Sequence, residues 1–314
     1  MKSIISPVDR DILKSELTEA RFARKTNFGN NHIYIINHHN APNVMMEIGR
    51  LREISFRLGG GGTGEEVDID YYDTCEVPYE QLVVWDIEGE EIVGGYRFIR
   101  CDTAVLTDGT LNLSTAHLFN YSEEFVKDFA PKTMELGRSW VQPAYQGSAD
   151  DRKGIFTLDN LWDGLGALIV MHPDIDYFFG KVTMYPSYNA EARDLILAFM
   201  QHYFLDKDNL VKPINPLKPI HDMDALKNIF KDLDFTEGFR LLGQKTRQLG
   251  ENIPPMISSY MKLSSTMRTF GTAVNDLFGD VEETGIMITI KDIYESKKHR
   301  HVDSFLKELE MRIV

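Results

Sequence analysis

The segment MELGRSWV, residues 134–141, places a carboxylate, Glu135, and a guanidinium, Arg138, three residues apart in a run otherwise suited to a half-buried strand. Side chains alternate between the faces of a regular strand, so this spacing would drive one of the two charges toward a core. One extra residue returns both to a single face, and Gly137, lacking a Cβ, tolerates the dihedrals that such an insertion needs. The segment therefore predicts a bulged strand showing a charge pair on one side of its kink. What the pair is for depends on the rest of the chain.

With 314 residues, 43% of them apolar, the chain can form one large domain or two around a well-buried core. Its net charge of −14 and pI near 5.1 argue against nonspecific binding to nucleic acid or to an anionic membrane through the whole surface. An acidic partner has to meet a local basic patch. Cys75 and Cys101 form no CxxC pair and no metal-ligand spacing, which fits a reducing compartment and two small core residues. The N-terminal MKSIISPVDRD lacks the apolar centre of a secretory signal. Apolar runs are about as short as ALIVM, against the ~20 residues that span a bilayer. A cytoplasmic location is expected, with at most peripheral contact to the inner membrane face.

SPVDRDILKSEL reads as a helix with Ser6 as N-cap, Pro7 at its first position and Val8, Ile12 and Leu13 on its apolar side. HIYII is β-rich, and APNVMMEIGRLREISFRL is a helix with Val44, Ile48, Leu51 and Ile54 or Ser55 on one stripe. After GGGGTGEE, whose glycines suggest a mobile loop, YEQLVVWDI and EEIVGGYRFIRC form a hairpin about the Glu88-Gly89-Glu90 turn. Strand TMELGRSWVQP, helix FTLDNLWDGLGALIVM, strand DYFFGKVTMY and helix NAEARDLILAFMQHYFL follow. KPINPLKPIHD is a proline-rich loop or boundary, GIMITIKDI a further strand and HVDSFLKELEMRI a closing amphipathic helix. This order predicts an α/β or α+β layer fold, a mixed sheet flanked by helices. An N-terminal helix and strand would occupy residues 1–40, a core 41–206, and an extension packed on the same domain 207–314.

No single motif announces a chemistry. Nine histidines include the pair His38-His39 but no HExxH and no i, i+4 ligand pair, so no metal site is expected. The GxSxG elbow and the GxxxxGK[ST] loop are absent, and the four glycines at 59–62 lack the Lys-Ser/Thr that anchors phosphate. DIDYYD, with Asp68, Asp70 and Asp73, could hold calcium, yet lacks the glycine and the terminal glutamate of an EF-hand loop.

Four separated pieces nevertheless stand in the order and spacing of a known family. Arg52 and Phe56 lie four apart in GRLREISFR, Asp70 and Asp73 follow in DIDYYD, Arg97 sits in VGGYRF, and Glu135 and Arg138 sit in ELGR. The set resembles the acyl-homoserine-lactone synthases among the GNAT-like acyltransferases. It resembles more closely their longer relatives, the ornithine and glycine N-acyltransferases of aminolipid synthesis, many of them called hemolysin-like. IPPMISSYMKLSSTMRTFGTAVNDLFG and GIMITIKDI look like the carboxyl half of those longer enzymes, so the resemblance runs roughly over residues 43–293. Glycines at 59–62 stand where the lactone synthases carry a tryptophan, and the chain continues past their end. Both departures count against a lactone synthase.

The resemblance implies a GNAT-like fold in which the bulged strand splays from DYFFGKVTMY, admits a pantetheine arm and turns freed backbone N–H groups toward the thioester carbonyl. Such donors are worth about 2.7–4 kcal/mol each. It implies direct attack by an amine on the thioester, with neither cysteine as nucleophile. Glu135, Arg138, Asp70 and Asp73 become catalytic candidates, and Arg52, Phe56 and Arg97 substrate-binding ones. Because the attacking amine must be neutral, Glu135 is expected to be the base. Three arginines and the carboxylates Asp70, Asp73 and Glu135 can share a cleft only by neutralising one another. A purely structural ion-pair network, holding the amino-terminal helix and the glycine loop on the sheet, is the competing expectation.

Coenzyme-A-dependent members of the fold carry a (Q/R)xxGx(G/A) loop whose amides hold the pyrophosphate. The equivalent QGSADDRKGIF has Gln146, Gly147 and Gly154 at another spacing, and two aspartates that would repel it. Acyl carrier protein is therefore expected as donor, docking on Arg152 and Lys153, or on Arg193 or the KKHR of residues 297–300. No cofactor beyond the thioester is implied. The resemblance points to a long, 3-hydroxylated chain and to a small amino acid acceptor, glycine or ornithine. The alternatives are a lactone synthase binding S-adenosylmethionine and a noncatalytic or membrane-active hemolysin-like protein. The closing helix, with Val302, Phe305, Leu306, Leu309 and Ile313 on one side, is partly acidic, which suits packing or peripheral contact.

Overall fold

A computed structural model describes residues 1–146 and 156–313. Helix α1 (Arg10–Glu16) starts at Asp9, whose carboxylate accepts the Asp11 N–H, and not at Ser6. Aspartate caps as well as serine and stands closer to the one buried residue of the helix, Leu13. β1 (Phe22–Lys25) and β2 (His32–Ile36) form a hairpin. α2 (Pro42–Gly59) begins with Pro42 in its first turn and ends on Gly60 at φ 93°. One-turn α3 (Tyr71–Thr74) is closed by reciprocal capping between Asp70 and Asp73.

β3 (Glu80–Asp86) and β4 (Glu91–Arg100) make the expected hairpin, short β5 (Phe119–Tyr121) follows, and β6 (Thr133–Val141) is the strand with the charge pair. Then come α4 (Thr157–Met171), β7 (Tyr177–Met184), α5 (Ala190–Phe204), β8 (Val211–Pro213) and α6 (Met223–Asn228). α7 (Phe235–Gln248), α8 (Pro255–Met261), β9 (Arg268–Asn275), β10 (Val281–Thr289), α9 (Glu295–His301) and α10 (Asp303–Ile313) complete the chain. The proline-rich stretch thus opens on a short strand, β8. Among the described residues no helix is long and apolar enough to cross a membrane.

The chain divides into two units. The first comprises Met1–Ser114, Lys132–Asp176 and Tyr294–Val314. Its strands run antiparallel in the order β1-β2-β3-β4-β6. On one face α2 lays Val44, Ile48 and Leu51 against Val83, Trp85 and Trp140, each side chain worth ~1.5–3 kcal/mol in burial. On the other face α4 comes so close that a Cβ at Gly164 would lie 2.5 Å from Leu82 Cδ2. The second unit, Thr115–Pro131 and Tyr177–Ile293, pairs β7-β10-β9 antiparallel with β10 central, and pairs β5 with β8.

The glycine run after α2 is wound around one carboxylate, contrary to a mobile loop. Buried Glu53 accepts from Thr63 N–H at 3.0 Å, Thr63 Oγ1 at 2.8 Å, Gly64 N–H at 2.7 Å and Arg57 Nε at 2.7 Å. Gly60, Gly62 and Gly64 have φ of 93°, 98° and 77°, so the glycines serve tight winding. Arg57 also donates to the carbonyls of Lys2 and Glu65, which straps the N-terminus over the turn.

Strand β4 carries Gly94-Gly95 where its register slips against both neighbours. A Cβ on Gly95 would sit 2.3 Å from the Leu82 carbonyl oxygen, inside the strand spacing. Gly95→Ala should lower the urea unfolding free energy by ~1–3 kcal/mol, the cost of overpacking. A midpoint equal to that of the parent chain would contradict this account of the β3–β4 spacing.

Candidate active site

The bulge lies where the strand chemistry demanded it. β6 follows β4 in register from Met134 opposite Arg100 to Gly137 opposite Arg97, and then Trp140 stands opposite Gly95. Three residues of β6 advance against two of β4. The left-handed residue is Arg138, at φ 46°, and not Gly137, whose φ is not positive. A non-glycine residue there costs roughly 1–3 kcal/mol, which surrounding contacts must offset. Gly137 has a different use: a Cβ on it would lie 3.6 Å from Arg97 Nε and 3.9 Å from Ser114 Oγ, so its absence leaves the space between them open.

The offsetting contacts form a closed ring. Arg52 Nε meets Asp68 Oδ2 at 3.0 Å, and Asp68 Oδ2 meets Arg138 Nε at 3.0 Å. Arg138 Nη2 lies 3.7 Å from Asp70 Oδ2, which Arg97 Nη1 approaches to 2.8 Å. Arg97 Nη1 reaches Asp73 Oδ1 at 3.3 Å, and Asp73 Oδ2 returns to Arg52 Nη2 at 3.0 Å. Three arginines and three aspartates alternate, drawn from α2, the turn that ends in α3, β4 and β6. The capping exchange between Asp70 and Asp73 fixes those two carboxylates, and Gln81 Nε2 donates to Asp73 Oδ1 at 3.1 Å. Asp68 is held by its N–H on the Gly49 carbonyl at 2.9 Å. Gly49 has to be bare, because a Cβ there would be 2.6 Å from Ile69 Cγ1.

One side of the ring is sealed and the other is open. Arg52, Asp68 and Asp73 have side-chain exposures of 0%, whereas Arg138 has 13% and Asp70 30%. Arg97 lies 5.0 Å from the Tyr79 ring centroid and Arg138 6.0 Å from that of Phe56. Burial pushes the Asp68 and Asp73 carboxyls up, yet Arg138 and Arg52 outweigh it for Asp68, and Arg52 and Arg97 for Asp73, so both sit below the usual carboxylate range. Burial likewise lowers Arg97, but Asp73 and Asp70 carry it well above its ordinary value. For Arg138 burial prevails and the guanidinium is pulled down.

Glu135 stands outside the ring, contrary to its expected place among the three neutralising carboxylates; Asp68 occupies that place. Fully buried, Glu135 accepts Ser114 Oγ–H at 2.7 Å, while the Ser114 N–H donates to Tyr79 Oη at 2.8 Å. Burial first and the Glu135 charge second raise the Tyr79 hydroxyl well above its ordinary value.

Arg52, Phe56, Asp70, Asp73, Arg97 and Arg138 are thus brought together, with Glu135 outside the ring and bonded to Ser114. Arg152 and Lys153 lie outside the described residues. Arg193 does not offer a docking surface: it is buried between Asp194 and Glu282. In the 297–300 run, Lys298 pairs with Glu295, His299 with Asp303 and Arg300 with Asp159. Cys101 is a core residue as expected, but Cys75 is half-buried, because it follows α3 in a turn at the surface. The aspartates of DIDYYD face guanidiniums in place of calcium. Ser114, Tyr79 and Gln81 went unnoticed in the sequence, where no spacing links them to the charged residues. Asp68 was visible in its two-residue offset from Asp70.

A family model described as an acetyltransferase (GNAT) domain matches residues 51–152. A glycine N(alpha)-acyltransferase of Phocaeicola vulgatus is 53% identical over 309 residues, 98% of this chain and 95% of that protein. One of Bacteroides thetaiotaomicron is 53% identical over 98% of this chain and 91% of its own. An L-ornithine N(alpha)-acyltransferase of Agrobacterium fabrum is 27% identical over 74% of this chain and 71% of its own. A solved coenzyme-A-dependent acyl-homoserine lactone synthase with MTA aligns over 89% of this chain and 90% of that one, at 11% identity and a TM-score of 0.37.

Because the folded Asp68 and Asp73 carboxyls lie below their model-peptide value of 3.8, the unfolded chain binds more protons in acid. The ring's contribution is therefore present above that value and is lost as pH falls through the lower folded ones. Urea midpoints should drop steeply below about pH 4. Asp68→Ala, which strips Arg52 and Arg138 of a shared anion, should cost ~3–5 kcal/mol at neutral pH and flatten the acid limb. Equal acid limbs in parent and variant would refute the ring as the source.

Proposed function

The chain belongs to the glycine N-acyltransferase family and is an acyltransferase, and from that premise we propose that it moves a long, 3-hydroxylated acyl chain from acyl carrier protein to the amine of glycine. The observation that carries the choice of acceptor is the closure of the ring. Each aspartate is shared by two arginines, so none is reserved for the distal ammonium that ornithine would bring. The glycine carboxylate meets Arg138 at the open edge, where the longest contact of the ring, 3.7 Å, yields most easily.

The amine then lies over Gly137, between Arg97 and Ser114. Arg97 Nε is buried without a hydrogen-bond partner, an N–H that an oxygen of the bound substrates, and not the ammonium, would satisfy. Glu135 takes the ammonium proton through Ser114 Oγ, and the freed amine attacks the thioester carbonyl. As the C–N bond forms, the oxyanion is met by backbone amides at the bulge, where the β6 ladder slips against β4. Collapse breaks the C–S bond, and the sulfur leaves with a proton as the carrier's thiol. Arg52 touches no substrate in this scheme; with Phe56 and Asp73 it holds the ring in shape. The sequence QGSADDRKGIF, lacking the pyrophosphate loop, supports a carrier protein as donor, with Arg152 and Lys153 as its docking pair. No cofactor besides the thioester is needed, and the reaction is assigned to the cytoplasm.

Mass spectrometry of products from the purified chain with 3-hydroxyacyl carrier protein and pooled amino acids should show one product, the N-acylglycine. Glu135→Gln should reduce its rate roughly 10²–10⁴-fold with an unchanged circular dichroism spectrum. Preferential acylation of ornithine would overturn the acceptor assignment, full activity of Glu135→Gln the base assignment, and equal turnover of the coenzyme A thioester the donor assignment.

A further inference from the structure

We infer that a cavity between α7 and α8, in the second unit, binds a phosphate ester. The cavity measures about 390 Å³, within the ~300–1,000 Å³ of small-ligand sites. Arg240, Gly243 and Arg247 line it from α7, and Lys262 from the C-terminal end of α8. Positions 240, 243 and 247 recur at three- and four-residue intervals and so share one face of the helix. A Cβ on Gly243 would stand 3.4 Å from Arg247 Nη1, so that guanidinium lies back along the helix beside the glycine. The Lys262 ammonium rests 4.2 Å from the centroid of the Phe239 ring, which holds it at the rim by attraction between charge and π-face.

Three cationic residues, all exposed, thus line one cavity with no carboxylate on its lining. Arg240 and Arg247 differ in this from most other arginines of the chain. Arg10, Arg24, Arg50, Arg52, Arg57, Arg97, Arg100, Arg138, Arg193, Arg268 and Arg300 all approach carboxylates, and Arg21 donates to the Glu16 carbonyl. Among the described residues, Arg240, Arg247 and Lys262 make no ion pair, although the chain carries 48 Asp and Glu against 34 Lys and Arg. Like charges gathered in a concavity repel one another, and an anion of matching geometry relieves that cost. Phosphate suits it, because its oxygens accept from two guanidinium forks and an ammonium together. The volume beyond the phosphate, walled by Phe239 and Ile253, is amphipathic and suits the esterified group. A phosphopantetheine arm and a phospholipid headgroup both present that chemistry. The inference does not depend on the acceptor or on Glu135, and direct binding reports it without turnover.

Calorimetric titration of the intact chain with inorganic phosphate, coenzyme A and a short-chain phosphatidylglycerol below its micelle concentration would test it. Pantetheine and a monoacylglycerol serve as phosphate-free counterparts, and Arg240→Glu/Arg247→Glu and the milder Arg240→Gln/Arg247→Gln as variants. Saturable one-to-one binding of a phosphate compound is expected, weakened about ten-fold or more by loss of the phosphate or of the arginines, the scale of a charge-assisted hydrogen bond. Preference for coenzyme A would assign the site to the thioester carrier, and preference for phosphatidylglycerol to a lipid headgroup. Absence of saturable binding by all three, or equal affinity in parent and folded glutamine variant, would overturn the site. Acyl transfer assayed in parallel separates this outcome from failure of the proposed reaction.

Discussion

A ring of six alternating charges holds the candidate site together. Every member stands between two opposite charges, so removing one disturbs two others, which a simple pair would not do. Three members, Arg52, Asp68 and Asp73, are sealed from solvent, where a single unpaired charge costs several kcal/mol. The ring joins α2, the turn before β3, β4 and β6, and Ser55 Oγ adds a hydrogen bond of 3.1 Å from α2 to the Val141 carbonyl at the end of β6. The left-handed backbone of Arg138 is sustained by these partners, so the kink in β6 is a consequence of the charge network as much as of local chain preference.

Of the two expectations set against each other at the outset, the sealed members of the ring fit the scaffold, and the more exposed members carry the site proposed above. The ring's closed side behaves as a buried structural network. Its open side, at Arg138 and Asp70, leads to Gly137, Ser114 and Glu135, a carboxylate kept out of the ring and bonded to a hydroxyl. Glu53, equally buried, has its oxygens committed to the glycine turn and to Arg57. Glu135 accepts from the rotatable Ser114 hydroxyl, a contact that suits the proton transfer proposed for it.

Most elements with a clear period were legible. α2 and the β3–β4 hairpin appear within a residue or two of the sequence reading, because their apolar residues repeat at the spacing of a helix and their turn carries Glu88-Gly89-Glu90. β1, β5, β8 and β9 were not, since strands of three or four residues carry almost no periodicity and β9 is diluted by Gly271 and threonines. The start of α1 shifted because Asp9 and Ser6 are comparable caps, and only the packing of Leu13 chooses between them.

For the site, the residues were legible and their grouping was partly so. The resemblance to a known family grouped Arg52, Asp70, Asp73, Arg97 and Arg138, and strand alternation about Gly137 called for a bulge in β6. Amino-acid order could not say that the left-handed residue is Arg138, that Asp68 completes the ring, or that Glu135 turns to Ser114. Those outcomes rest on which side chains meet across segments distant in sequence, and distance there is set by glycines that permit close approach: Gly49 under Ile69 and Gly95 against Leu82. Pattern along the chain specifies what must be neutralised, and only the packed backbone decides by whom.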